Sequence, residues 1–218
     1  MRVIVTAGPT REHLDPVRFL SNPSTGKMGF AVAAEAARRG CEVTLVAGPV
    51  ALKTPRGVTR VDVVSARDML AATERLARQA RSSATETVVV STAAVADWRP
   101  ETCAAQKLKK SQMDGVLRLV RNPDILKSLA ALRAARRLKL HLVGFAAETN
   151  DVLQEAARKC REKGLDFIVA NDVTRKGSGF GTDTNQVTFV YPDGTQRALP
   201  LLSKRTVARH IVDELLCS

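Results

Sequence analysis

Thr87-Val88-Val89-Val90-Ser91 is apolar at consecutive positions through its centre and polar only at its ends. A strand with one wet face alternates; a continuous apolar run belongs to a strand covered on both faces, as in a parallel sheet. The reading extends outward from there. On the amino-terminal side, residues 3–6 read as a strand, 26–39 as a helix closed by Gly40, 42–46 as a second strand and 66–81 as a second helix. On the carboxyl-terminal side, Asn122-Pro123-Asp124 opens a short helix with proline in its first turn. Residues 140–145 form another buried strand, 151–163 a helix ended by Gly164, and 167–170 one more strand. Strands alternating with helices of these lengths imply right-handed β–α–β units. The predicted fold class is α/β, a Rossmann-like doubly wound and mainly parallel sheet with helices on both faces.

The grammar changes after Asp172. Lys176-Gly177-Ser178-Gly179-Phe180-Gly181 is a glycine-rich loop, and residues 186–190 and 196–199 flank the turn Tyr191-Pro192-Asp193-Gly194-Thr195 as a β-hairpin. Ser203 then caps a final helix carrying Val207, Ile211 and Leu215 at helical spacing. With no internal repeat and no long linker, residues 1–218 read as one domain.

Composition narrows the classes. Hydrophobic residues are 44% and charged residues 26% of the 218, a soluble globular balance. No apolar run nears the ~20 residues of a membrane helix. The chain enters a strand at once, so no signal peptide is expected and the expected location is cytoplasmic. Cys41, Cys103, Cys160 and Cys217 are scattered, which argues against a zinc site or a disulfide framework. The net charge of +12 suits small anionic ligands or nucleic acid. However, the arginines of residues 71–81 and 154–163 are interspersed with Glu and Ala as on solvated helix faces. Aromatics are only 4% and none is interleaved with a basic run, so nucleic acid is not the expected partner.

In a doubly wound sheet, ligands bind beyond the carboxyl ends of the strands. That rule selects residues 6–28, 92–110, 146–150 and 171–185. The first holds Ser21-Asn22-Pro23-Ser24-Thr25-Gly26-Lys27-Met28-Gly29, a polar loop running into a helix start, where free N–H groups and the helix dipole favour an anion. Neither common phosphate motif fits. A P-loop (G-x-x-x-x-G-K-S/T) fails because Ser21 stands at the first glycine and Met28 follows Lys27. The dinucleotide pattern G-x-G-x-x-G fails because Thr10 and His13 replace the glycines after Gly8. The only tyrosine, Tyr191, has Thr195 four residues on, which also disfavours a short-chain dehydrogenase.

What remains is a phosphate-cradling loop of another design. Gly8, Gly26 and Gly29 let backbone approach a ligand, or serve helix–sheet packing alone. Asn22 is a neutral donor and acceptor placed to hydrogen-bond a carbonyl or acyl-phosphate oxygen, or forms an Asx-turn before Pro23. Thr92-Ala93-Ala94-Val95-Ala96-Asp97 leaves room for a flat base or ribose, with Asp97 accepting from sugar hydroxyls or acting as a cap. Lys107-Leu108-Lys109-Lys110 reads as a clamp on a triphosphate or as a lysine-guarded edge strand. His13, His141 and His210 are far apart in sequence, and no nucleophile elbow is present. Any catalysis would then rest on positioning and charge stabilisation.

The motifs Thr6-Ala7-Gly8-Pro9-Thr10-Arg11-Glu12, Asp15-Pro16-Val17-Arg18, Ser21–Gly29, Ala93–Asp97, Lys107–Lys110, Asn122-Pro123-Asp124, Gly144–Asn150, Ala170-Asn171-Asp172 and Asp183-Thr184-Asn185 resemble the phosphopantothenoylcysteine synthetase (phosphopantothenate–cysteine ligase) family of coenzyme A biosynthesis. The match is colinear from Val3 to about Val190. The resemblance implies that the carboxylate of 4′-phosphopantothenate attacks the α-phosphate of CTP, giving an acyl-cytidylate and pyrophosphate. Cysteine then displaces CMP. ATP in place of CTP, or a non-catalytic nucleotide- or RNA-binding module, are the alternatives.

By position, the resemblance assigns catalysis to Asn22 and Lys107. The nucleotide falls to Gly8, Ser91, Thr92, Ala93, Asp97, Lys107, Pro123, Asp124, Ile125, Leu126, Phe145, Lys159 and Lys163, and phosphopantothenate to Asn22, Ser24, Thr25, Gly26 and Ala94. It implies Mg²⁺ carried on the triphosphate with no protein metal site, no FMN in this chain, and a homodimer with the late β region near its interface. Many bacterial relatives carry an amino-terminal flavin-dependent decarboxylase, and nothing like it is read here.

Overall fold

The computed structural model describes residues 1–81, 86–109, 115–175 and 177–217; Lys110 of the basic run and Lys176 of the glycine-rich loop lie outside them. In chain order the strands are β1 (Arg2–Ala7), β2 (Arg11–His13), β3 (Phe19–Ser21), β4 (Glu42–Ala47), β5 (Val58–Asp62), β6 (Thr87–Ser91) and β7 (Trp98–Pro100). They continue with β8 (Leu119–Arg121), β9 (Leu140–Glu148), β10 (Phe167–Asp172), β11 (Thr184–Asn185), β12 (Val187–Val190), β13 (Gln196–Ala198) and β14 (Leu202–Ser203). The helices are α1 (Lys27–Arg38), α2 (Ala66–Arg78), α3 (Ile125–Arg136), α4 (Val152–Glu162) and α5 (Lys204–Cys217).

Eight strands form the main sheet in the order β13-β12-β10-β9-β6-β1-β4-β5. All pairings from β10 through β5 are parallel, and the β12–β13 hairpin adds on antiparallel to β10. β6 lies near the middle and is buried at all five positions, as its continuous apolar run predicts. α1 and α5 cover one face, where Phe30, Val32, Val207 and Ile211 join Val5, Val90 and Phe189. α2, α3 and α4 cover the other, where Met69, Leu129 and Cys160 join Ile4, Val89 and Leu142. The chain moves outward from β1 to β4 and β5, then returns across β1 to β6 and on to β9 and β10. The strand order therefore reverses between β1 and β6, and a crevice opens beyond their carboxyl ends.

Glycine sets how closely α1 approaches that crevice. A Cβ on Gly29 would lie 2.4 Å from Thr92 Oγ1 and 2.5 Å from Ala7 Cβ, so only glycine lets the first turn of α1 rest on the end of β1. Packing, one of the two uses foreseen for this glycine, is seen, and Gly29 also lines the cleft.

Several elements differ from the sequence reading. β5 was not foreseen because Arg60 and Asp62 interrupt its apolar pattern; it is the sheet's edge, where charges guard an unpaired strand. Pro123 stands before the cap of α3 rather than in its first turn: Asp124 is the N-cap, accepting from the Lys127 N–H at 3.1 Å. β9 runs on to Glu148 because its pairing with β10 continues through Ala147 and Glu148. The two hairpins β2–β3 and β7–β8 have three residues per strand, too few to show a period. Residues 107–109 form no strand.

The turn between β2 and β3 is organised by Asp15, which is wholly buried. Its carboxylate accepts from the Val17 and Arg18 N–H groups and from Arg18 Nε, each at 2.9 Å, and from the Leu108 N–H at 3.2 Å. Arg18 donates back to the Leu108 carbonyl at 3.0 Å. One ion pair thus satisfies both backbone polar groups of a residue beside Lys107. The Arg18 guanidinium holds the Asp15 carboxyl well below the usual carboxylate range. A depressed folded-state pKa gives stability that is complete above the unfolded value near pH 4 and fades as pH falls below it. Asp15→Asn is therefore expected to be less stable than wild type at pH 7, with the gap narrower at about pH 3 and closed only in stronger acid, below the depressed folded-state pKa. Urea midpoints at both pH values test this; a gap that persists unchanged in acid would refute it.

Candidate active site

The crevice is a cleft of about 400 Å³. Its floor is made by strand residues: Ser91 of β6, Phe145 and Ala146 of β9, and Ile168 and Asn171 of β10. Along one side run Asn22, Ser24, Thr25 and Gly26 ahead of α1; along another, Thr92, Ala93, Ala94 and Asp97 after β6. Pro123, Asp124, Ile125 and Leu126 at the start of α3, and Lys159 and Lys163 of the α4 end, complete the far wall. The structure thus brings together all the residues that the resemblance assigns by position except two. Gly8 lies behind the lining in a left-handed turn, where a Cβ would meet Val50 at 2.9 Å. Lys107 is exposed and outside the lining.

Asn22 does not cap its own turn. Its Nδ2 donates to the carbonyls of Ala94 at 3.1 Å and Val95 at 3.2 Å, pinning the loop before α1 to the loop after β6. Two acceptors fix the amide's orientation, since a flipped group would set oxygen against both carbonyls. Asn22 Oδ1 has no partner among the described residues, and Asn22 is one of the residues lining the cleft. The amino end of α1 is also open: Gly26 offers no side-chain cap, and no acidic residue stands in the first turn. The Thr25 hydroxyl reaches across to the Phe180 carbonyl at 2.9 Å.

Four lysines and three carboxylates line the cleft: Lys27, Lys159, Lys163 and Lys204 against Asp97, Asp124 and Glu148. Lys159 pairs with Glu148, and Lys163 with Asp124 at 2.9 Å. Lys27 pairs outside the lining with the exposed Asp183 at 2.7 Å. Asp97 is exposed, and its carboxylate has no partner among the described residues. No histidine or cysteine lines the cleft. His141 sits at the opposite end of β9 against Asp166 at 3.1 Å. The buried Cys160 thiol is pushed up to about 11 by burial, as befits an inert core thiol. Among the described residues no group of His, Cys, Asp or Glu could hold a metal ion, and no helix is long and apolar enough to cross a membrane.

Lys204 was missed in the sequence. It follows the cap Ser203, whose hydroxyl accepts from the Thr206 N–H at 3.1 Å, and looks there like any first-turn lysine. In the fold it is 6% exposed, and its Nζ donates to the carbonyls of Gly179 at 2.9 Å, Phe180 at 3.3 Å and Thr182 at 2.6 Å. All three ammonium protons are used to fold residues 179–182 against the cleft. Burial, aided by nearby Lys27, lowers its pKa. Lys204→Met would take a donor from all three carbonyls and leave that of Thr182 with none among the described residues, at an expected cost of roughly 1–3 kcal/mol. Lys204→Arg, whose planar fork cannot reproduce the tripod, should recover only part of it. Equal stability of wild type and the Met variant in guanidinium melts would show that the tripod does not hold this wall.

Fold and site together define a class: a doubly wound α/β domain with a polar, lysine-rich cleft at its switch point. Residues 1–217 match the family described as the DNA/pantothenate metabolism flavoprotein C-terminal domain, and the chain belongs to that family. It is 46% identical over 219 residues to the coenzyme A biosynthesis bifunctional protein CoaBC of Escherichia coli K12, covering 99% of this chain and 52% of that protein. It is also 46% identical over 216 residues to the Bacillus subtilis CoaBC, covering 98% of this chain and 50% of that protein. The chain thus spans about half the length of these curated relatives. Its structure is similar to the crystal structure of the CoaBC C-terminal domain, with a TM-score of 0.79 at 43% identity over 98% of this chain and 93% of the other. A Cab2 mutant in complex with phosphopantothenate-cysteine shares the fold, with a TM-score of 0.76 at 18% identity over 99% of this chain and 85% of the other. The family resemblance read from the motifs agrees with this assignment.

Proposed function

We propose that this chain is a phosphopantothenate–cysteine ligase that consumes CTP. The observation that carries the reading is the cleft itself, which offers two cationic ends and an uncapped helix start, while the histidines and cysteines lie outside it. Such a site suits a reaction whose substrates bring their own nucleophiles. Family membership, and the coenzyme A role in the names of the bacterial relatives, support the same reading.

In the first step a phosphopantothenate carboxylate oxygen attacks the α-phosphorus of CTP, and the bond to pyrophosphate breaks. Lys159, Lys163 and Lys107 neutralise charge building on the phosphates, while the exposed Asp97 carboxylate accepts from the ribose hydroxyls. Phosphopantothenate lies along Asn22, Ser24, Thr25, Gly26 and Ala94, near the amino end of α1. In the second step the cysteine nitrogen attacks the acyl carbon, CMP leaves, and the proton lost from nitrogen passes to the departing phosphate or to water. The unpartnered Asn22 Oδ1 accepts from the attacking amine and orients it. Mg²⁺ arrives on the nucleotide. A cytoplasmic location accords with this role.

The chain would act as a homodimer. Large exposed apolar side chains gather on the two small hairpins and beside them, at Val17, Phe19, Trp98 and Leu119, with β2 packed near β7. That favours the hairpins as the interface over the late β region that the resemblance implies.

Pyrophosphate release from CTP should require phosphopantothenate, exceed release from ATP, and ignore added RNA. Release without phosphopantothenate would contradict the ligase reading. Asn22→Asp should let acyl-cytidylate form yet slow its conversion to product roughly 100-fold. Undiminished turnover would remove the role given to Asn22. Lys107→Gln should slow the first half-reaction by roughly 10-fold or more; an unchanged burst of pyrophosphate would leave Lys107 outside catalysis.

A further inference from the structure

Both lysines of the far wall are already neutralised by a carboxylate from another element. Lys163 is held by Asp124, the N-cap of α3, and Lys159 by Glu148, at the end of β9. The two carboxylates differ in one respect. Asp124 has structural work of its own, accepting from the Lys127 N–H at 3.1 Å. Glu148 has none: among the described residues its carboxylate accepts only from Lys159. It is only 19% exposed, so its solvation is poor and its pairing is nearly its whole compensation.

We propose that Glu148 is an internal counter-ion which an incoming polyphosphate displaces from Lys159, so that Glu148 limits how tightly the cleft holds its anion. The proposal rests on the reading of the α4 end as the polyphosphate wall. Lys159 and Lys163 stand four residues apart on one helix face and repel each other when nothing lies between them. Glu148 offsets that repulsion in the empty cleft. An arriving phosphate must break the Lys159–Glu148 pair and then sits near the released carboxylate, which lowers its net affinity. On departure the reverse holds. Glu148 recaptures Lys159, and pyrophosphate leaves more easily than it would from two unpaired lysines.

The test is calorimetric titration of the full chain with inorganic pyrophosphate, with and without Mg²⁺, at low and high salt. Glu148→Gln keeps the shape but removes the charge, and should bind pyrophosphate roughly three- to ten-fold tighter than wild type. The gain should shrink as salt rises. Glu148→Ala should move affinity in the same direction, which separates loss of charge from any local disturbance. Lys159→Gln should weaken binding. Unchanged or weaker binding by both Glu148 variants, with wild type binding normally, overturns the counter-ion role alone. Weaker binding confined to the Mg²⁺ titration overturns it too, by giving Glu148 to the metal. A wild-type chain that binds no pyrophosphate would take down the wall reading and this inference with it.

Discussion

The parallel pairing of β1 with β6, and the way their ends are tied, is the constraint on which the cleft depends. Thr92 Oγ1 donates to the Thr6 carbonyl at 2.7 Å, and the Ala94 N–H to the Gly8 carbonyl at 2.9 Å, so the two chains leave the sheet together before diverging. Pro9 and Ala94 extend the pairing by one further parallel bridge. Gly29 then allows α1 to rest against Ala7 and Thr92. With those distances fixed, Asn22 can reach the Ala94 and Val95 carbonyls, and the α1 start and the loop after β6 become facing walls. A larger residue at Gly29 would move one wall against the other. The effect would reach Asn22, whose two hydrogen bonds span that gap.

Electrostatics divides the cleft's cations into two kinds. Lys204 spends its three protons on three backbone carbonyls that cannot leave, and burial makes its charge costly to expose further. Lys159 and Lys163 face side-chain carboxylates, of which Asp124 is also held by the Lys127 N–H while Glu148 has no second donor among the described residues. The first kind builds a wall; the second can be handed to a ligand. Lys27 stands between them. It donates to the Gly181 carbonyl at 3.2 Å and to Asp183, whose side chain is 87% exposed. Such an exposed pair is worth little and gives way easily.

What was legible in the sequence follows from the range of the interactions involved. β6 and the helices closed by Gly40 and Gly164 are set by local pattern and backbone conformation, and they lie where the residues say. The four loops chosen by the strand-end rule line one cleft, because that rule follows from sheet topology. Lys204 was not legible: its partners lie 22 to 25 residues away in a loop with no period. Nor was the use of Asn22, whose amide could equally have bonded its own turn. Only the fold brings in acceptors 72 and 73 residues distant. β5 was hidden for the opposite reason, since the charges that suit an edge strand erase the apolar alternation that announces one.

The Asp15–Arg18 pair joins these two levels. It lies in a turn, and its local bonds to Val17 and Arg18 would form in many turns of this composition. The long-range bonds to Leu108 make it more than a turn. They tether the segment carrying Lys107 to the hairpin that leads, through β3, into Asn22. The two residues assigned to catalysis on the ligase reading therefore hang from one buried carboxylate, although they are 85 positions apart in the chain. A buried ion pair is poor evidence for stability, because desolvation offsets much of its attraction. Its worth here lies in register. Five donors converging on one carboxylate leave the Leu108 backbone a single position, and Lys107 inherits that position without lining the cleft itself.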